Sequence, residues 1–497
     1  MAVKSDRGKT PFLSANDRSR WATIRALVDY GTYELDRVIF PRAGKRDVDW
    51  YSIDLVRHRG RDGREHYFSS KPPLFPTLLA GEYWLIQRAT GATLQRHTFP
   101  VARAIILITN AIPLAIYFGI MATLFDRLAH RNWGRMFVVF AAAWGTFLTT
   151  FGVTLNNHLP AAISVAVAVY AAYRALYRDE DRRVWYALAG LAGAFAVANE
   201  LPALSFFCLL TLAFGIRSLS RTAKWYLPAA AAVAIAFFTT NYIAHDCWNP
   251  AYSHRRDGAE VARVPAVDDP ATAGSAKSVL DSLRAAGLSF SSKTTVAPSA
   301  REQRWVVYDT ENSRRWALVR DGQTLVLREW DNWYEYDGSY WLPTRLRGVD
   351  RGEPSRLVYA FHVLAGHHGV FSLTPIWILS LAGMLIWLRG SDPKLRVFSA
   401  AVLLLTVVCL AFYVARPLID RNYGGVACGF RWVFWCTPLW LITLVPAADR
   451  MASSRWGRGI AVVCLAISVF SASYASLNPW SHPWLYNLWG YLGWLQP

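Results

Sequence analysis

The chain has 497 residues, of which 53% are hydrophobic, 14% aromatic and only 18% charged, with a formal net charge of +18. So apolar a composition excludes an ordinary soluble enzyme and makes an integral membrane protein the expected class. Most of the positive charge falls in short loops between apolar runs, so it reads mostly as membrane topology and argues against a nucleic-acid partner.

Residues 1–103 precede the first long apolar run. Here "DRSRWATIRALVDYGTYELD" sets Trp21, Ile24 and Val28 at helical spacing among charges, which predicts an amphipathic helix lying on a membrane surface. A second surface helix is expected after Pro73, through "LFPTLLAGEYWLIQRAT", with an irregular stretch joining the two. That stretch ends in "YFSSKPPLFP", where Lys71 is fixed against Pro72 and Pro73.

Apolar stretches then recur at 104–125, 136–155, 160–177, 184–198, 201–216, 226–244, 370–388, 397–415, 430–447 and 459–476, which predicts about ten transmembrane helices. Between the sixth and seventh, "RWVVYD", "WALVRD" and "TLVLREW" alternate apolar and polar residues, and Asp321-Gly322 supplies a tight turn. A small β-meander preceded by the helix "AKSVLDSLRAAG" is expected there. The fold class expected is therefore an all-α polytopic membrane protein with a small α+β extracytoplasmic insert. Its parts are 1–103, 104–245 with six spans, 246–356 as the insert, 357–477 with four spans, and a tail at 478–497.

Every second short loop is basic: Arg127, Arg131 and Arg135; Arg174, Arg178, Arg182 and Arg183; Arg217, Arg221 and Lys224; Arg389, Lys394 and Arg396; Arg450, Arg455 and Arg458. Since Lys and Arg accumulate on the cytoplasmic side, residues 1–103, 245–369 and the tail are expected outside. Because no signal peptide or opening span is visible in "MAVKSDRGKTPFLSAND", an upstream span missing from this start is also expected. The six cysteines show no zinc spacing; Cys247 and Cys428 share the outer side, where a disulfide and two free thiols are both open.

The informative polar residues sit at the outer ends of the spans. Asn156, Asn157 and His158 open one helix, Asn199 and Glu200 another, and His362, His367 and His368 precede the span at 370. Each cluster alone reads as helix capping. Together with Lys71 they point to a cavity that opens outward.

"NDRSRWATIRALVDYGTYEL" followed by "YFSSKPPLFPTLLAGEYWL" resembles the first outer loop of the GT-C glycosyltransferases, especially the bacterial aminoarabinose transferases and their protein O-mannosyltransferase relatives. The shared order is an acidic residue opening an amphipathic helix, a "KPPL" element, a second surface helix and a span, and it covers roughly 14–130. The resemblance implies a membrane glycosyltransferase that moves a sugar from a polyprenyl-phosphate donor to an acceptor on the extracytoplasmic face, with inversion. Sugar and acceptor are not given by it. It implies Asp17 as the base and Lys71 as the ligand of the departing phosphate, both facing one cavity.

Arg431, heading "RWVFW" beside Gly424, Gly425 and Gly429, is a second candidate phosphate ligand. Asn157, His158, Glu200, His367 and His368 are candidate substrate-binding residues. Ser70 stands where the aminoarabinose-type enzymes carry an acid before the lysine, so a second acid must come from elsewhere. Asp54, Glu65 and His66 are nearby, and spacing does not select among them. No cofactor is read from the sequence, and dependence on a divalent metal is open. Two other classes fit an outward cavity: a transporter, against which stands the lack of inverted repeats, and a non-catalytic envelope scaffold, which suits the missing acid.

Overall fold

A computed structural model describes residues 3–5, 8–42, 45–299 and 301–495. It resolves into two compact units, Met1–Arg18 with Leu74–Phe238 and Arg347–Pro497, and Ser19–Pro73 with Thr239–Leu346. The first is built of helices and the second carries the sheets.

All ten apolar stretches are helical, because a long run without polar side chains satisfies its backbone only within itself. Among the described residues seven helices are long and apolar enough to cross a membrane: α3 (Thr98–Leu128), α4 (Asn132–Val153), α5 (His158–Tyr177), α8 (Leu219–His245), α11 (Pro393–Val414), α12 (Arg431–Met451) and α13 (Arg455–Tyr474). They follow α1 (Ala15–Tyr30) and α2 (Leu74–Thr90). The remaining three stretches fall short of that length, so ten spans are not established. They form α6 (Arg183–Asn199), α7 (Leu201–Arg217) and α10 (Ile376–Leu388). Glu200 and Pro202 divide α6 from α7, and Thr374-Pro375 cuts four residues from the start of α10.

Close helix approach in this unit depends on glycine. A Cβ on Gly190 of α6 would stand 2.2 Å from the Tyr226 carbonyl oxygen, so no larger residue fits there. Between α10 and α12 the Ser380 hydroxyl donates to the Trp440 carbonyl at 2.6 Å, a polar link inside an apolar interface.

In the second unit a hairpin of β1 (Leu55–Arg59) and β2 (Glu65–Ser69) pairs Leu55 with Ser69 and Arg59 with Glu65. The expected irregular joint between the two surface helices is thus ordered. Trp21 and Ile24 are fully buried, while Val28 is half-buried. The insert is a five-stranded antiparallel sheet of β3 (Glu260–Pro265), β4 (Thr294–Pro298), β5 (Arg304–Asp309), β6 (Arg314–Asp321) and β7 (Thr324–Glu329), ordered β3-β7-β6-β5-β4. Helix α9 (Ala273–Ala285) lays Val279, Leu280 and Leu283 on Val264, Val307, Leu318 and Leu325. The Asp321-Gly322 turn forms as expected: Asp321 pairs with Thr324, and Gly322 takes φ +60°, which an L side chain adopts only with strain.

The six cysteines are free thiols, so Cys247 and Cys428 form no disulfide.

Candidate functional site

The helix ends away from the basic loops carry a connected polar network within the first unit. It begins at α1, where Ser14 caps the helix. Its hydroxyl accepts from the Asp17 N–H at 3.0 Å, and the Asp17 carboxylate accepts from the Ser14 N–H at 3.2 Å and the Leu13 N–H at 2.9 Å. This is a capping box with Asp in the third helical position. The same carboxylate takes a third bond, 2.6 Å, from the Thr154 hydroxyl, which lies just past the end of α4.

Asp17 is fully buried, and burial pushes its pKa up to about 6, against the opposing pull of Thr154, Leu13, Ser14 and, least, Arg18. A carboxylate at that value exchanges its proton near neutral pH. The Thr154 hydroxyl also accepts from the Trp480 indole N–H at 3.3 Å, and the Trp480 ring lies 4.9 Å beneath the Arg431 guanidinium.

Arg431 opens α12 and is anchored by its Nε–H, which donates to the Gly424 carbonyl at 2.6 Å. Gly424 holds φ +92°, and a Cβ there would stand 3.2 Å from the Arg431 side chain. Glycine therefore suits the turn, and the approach of Arg431 is tight. One Arg431 Nη lies 2.8 Å from His158 Nε2. A guanidinium only donates, so Nε2 accepts and the imidazole proton sits on Nδ1, which faces the Glu200 carboxylate. Asn157 closes the chain by donating to Glu200 Oε1 at 2.6 Å and to the Asn199 carbonyl at 2.9 Å.

A second group in this unit precedes α10. His367 stacks on His362 at 3.9 Å, its Nδ1 meets His368 Nδ1 at 2.5 Å, and His368 stacks on Tyr423 at 5.0 Å. His482 stacks on Tyr486 at 4.0 Å and lies 6.0 Å from His368. Burial pushes His367 down to about 3 and holds His368, His362 and His482 below the usual imidazole value, so all four are neutral at pH 7. Among the described residues no group of three or more His, Cys, Asp or Glu side chains is arranged to hold a metal ion.

In the second unit Lys71 Nζ pairs with Asp54 at 3.1 Å, and its backbone N–H donates to the Ser69 hydroxyl at 3.1 Å. Asp54 is in turn positioned by the Ser19 hydroxyl, which donates to its carbonyl at 2.9 Å. Of the three nearby alternatives to the missing acid, the carboxylate beside the lysine is Asp54. Glu65 is occupied by Arg57 at 3.0 Å and Arg315 at 2.8 Å, which makes it a sheet-binding ion pair. His66 faces Asp62, Asp36 and Glu34; burial opposes its protonation, but these carboxylates prevail and hold its pKa above the ordinary value.

The structure therefore links Asp17, Asn157, His158, Glu200 and Arg431 in one network, groups His367 with His368, and sets Lys71 with Asp54. Asp17 and Lys71 belong to different units. Sequence reasoning missed Thr154, Trp480, Tyr423 and His482. The signal for the last of these was "NPWSHPWLY", polar and aromatic residues following the final span on the side of the other clusters.

No protein-family model matches the chain, and no curated protein or solved structure matches it either.

Proposed function

We propose that this chain is a membrane glycosyltransferase of the GT-C type, acting on a polyprenyl-phosphate-linked sugar at the extracytoplasmic face. The observation that carries this reading is a titratable carboxylate, Asp17, joined through Thr154 and Trp480 to a guanidinium, Arg431, at the helix ends opposite the basic loops. In this reading α6, α7 and α10 complete ten spans.

The reaction asks for two groups. The acceptor oxygen attacks the anomeric carbon as the bond from that carbon to the phosphate oxygen breaks, in line and with inversion. The acceptor's proton passes to Asp17. The electron pair of the broken bond leaves with the polyprenyl phosphate, whose growing charge Arg431 meets. His158, oriented by Glu200 and Asn157, holds the Arg431 fork in place as a positioning residue.

One observation favours a second reading, a non-catalytic envelope scaffold: both Asp17 oxygens are already engaged in a capping box and by Thr154. The test is sugar transfer by purified protein given polyprenyl-phosphate sugars and a membrane extract as acceptor pool, read as released polyprenyl phosphate. The glycosyltransferase reading expects Asp17→Asn to bind donor and lose transfer, and Arg431→Ala to lose donor binding. No release by the wild-type protein would leave the scaffold, and release undiminished in both variants would remove Asp17 and Arg431 from the reaction.

A further inference from the structure

The helical unit contains a large apolar cavity, about 450 Å³, far along its helices from the polar network. Its walls come from five helices: Leu128 of α3, Leu176 of α5, Leu210 of α7, Val402 and Leu405 of α11, and Ile442 of α12. It follows α11 from Pro393 to Leu405, which at ~1.5 Å per residue is about 18 Å. One leaflet of a bilayer's hydrocarbon core is about 15 Å deep. The groove therefore has the length of a single acyl chain of one leaflet and is too short to house a long polyprenyl chain.

The mouth decides which lipid. Tyr177 and Lys394 mark it, at the basic ends of the helices. Asp179 there pairs with Lys394 at 2.6 Å and Arg217 at 3.5 Å, and Asp181 pairs with Arg221 at 2.8 Å, so the loops after α5, α7 and α10 are tied together around the opening. These loops carry Arg174, Arg178, Arg182, Arg183, Arg217, Arg221, Lys224, Arg389, Lys394 and Arg396 against Asp179, Glu180, Asp181 and Asp392. Ten cations less four anions leaves a surplus of six. Arg178, Arg182, Lys224 and Arg389 are exposed there. Such a ring attracts an anionic headgroup.

We propose that this groove is a binding site for one anionic phospholipid, with an acyl chain along α11 and a phosphate diester at the ring of arginines. A bound chain fills space that packing of α7 against α11 leaves open, so the lipid is an integral part of the helical unit.

The test is native mass spectrometry of the full chain in mild detergent, titrated with phosphatidylglycerol, phosphatidylcholine or polyprenyl phosphate. One phosphatidylglycerol should be retained per chain, about tenfold more tightly than phosphatidylcholine. Ala401→Trp, which fills the groove from α11, should abolish retention, and Ala213→Trp does the same from α7 should the first variant not fold. Arg178→Glu with Arg182→Glu should erase the preference between headgroups while one chain still binds. Equal retention of the two phospholipids, undiminished binding to the tryptophan variants, or displacement of phosphatidylglycerol by polyprenyl phosphate would each overturn the proposal.

Discussion

In the sheet-bearing unit the Arg304 guanidinium lies between Asp257, at 2.6 Å, and Glu335, at 2.7 Å, and Glu65 lies between two arginines. In the helical unit Asp17 is buried more deeply, yet its direct partners are two backbone N–H groups and a hydroxyl. The first arrangement neutralises charge with charge and fixes protonation; the second uses dipoles, which leave the carboxylate free to titrate near neutrality. The four imidazoles before α10 and in the tail extend the second pattern, since aromatic rings surround them and burial keeps them neutral. Charge matched by charge is thus the mark of construction here, and a carboxylate held by dipoles is where chemistry is to be sought.

The sharpest way to break this comparison is Arg304→Met. It leaves two half-buried carboxylates without their shared cation and is expected to cost about 3 kcal/mol, read as a large fall in thermal midpoint in detergent. Arg431→Met removes the bonds of a cation to a carbonyl and an imidazole, so about 1–3 kcal/mol is expected. Equal losses would remove the distinction between the units.

Asp17 supplies the next test. A carboxyl raised in the fold to about 6, from 3.8 in the unfolded chain, favours the protonated fold. Its stabilising contribution is complete below pH 3.8 and is lost as pH rises through 6. Asp17→Asn has no such proton to lose, so it should match the wild type near pH 4 and exceed it by about 3 kcal/mol above pH 6. A gap that does not change with pH would show that Asp17 is not titrating in this range.

The imidazoles should behave in the opposite sense. His367 has its folded pKa pushed down to about 3, so the fold prefers the neutral ring and its contribution, present above the unfolded value of 6.5, declines as pH falls. By pH 5 the loss from this ring is about 2 kcal/mol, and His367→Gln should remove that part of the acid sensitivity. Thermal midpoints of both proteins between pH 7 and 5 measure it.

Much of this was open to the sequence, for identifiable reasons. Uninterrupted apolar runs gave the long helices of the helical unit, of which α6, α7 and α10 are short of spanning length, α10 because Thr374-Pro375 interrupts its apolar text. The short helices Arg356–Leu364 and Trp484–Tyr491 carried no such run. Strands β5, β6 and β7 were legible because, as inner strands or their neighbours, they alternate. Strands β3 and β4 form the edges of the sheet, expose most of their side chains and lack that rhythm. The β1–β2 hairpin carried its signal in Asp62-Gly63, with Gly63 at φ +81°, but arginines and histidines dilute the strands around it. At the site, Asn157, His158, Glu200 and Arg431 stood out as polar groups at apolar ends. Thr154 and Trp480 did not, since a threonine and a tryptophan at a membrane edge are commonplace.

The smallest effect separates the two roles of Asp17. Ser14→Ala removes the hydroxyl that caps α1 but leaves the backbone N–H groups of Leu13 and Ser14, and the Thr154 hydroxyl, on the Asp17 carboxylate. Loss of a serine N-cap costs about 1 kcal/mol, so a modest fall in thermal midpoint is expected. If Asp17 serves only as the other half of the capping box, Ser14→Ala and an Asp17→Asn variant should resemble one another in every assay, because each removes one side of the same reciprocal pair. If Asp17 accepts a proton, the two part company: Ser14→Ala keeps release of polyprenyl phosphate near the wild-type rate, while Asp17→Asn abolishes it at equal or greater stability. Loss of transfer in Ser14→Ala at unchanged donor binding would mean that the cap, and not the carboxylate's protonation, is what turnover depends on.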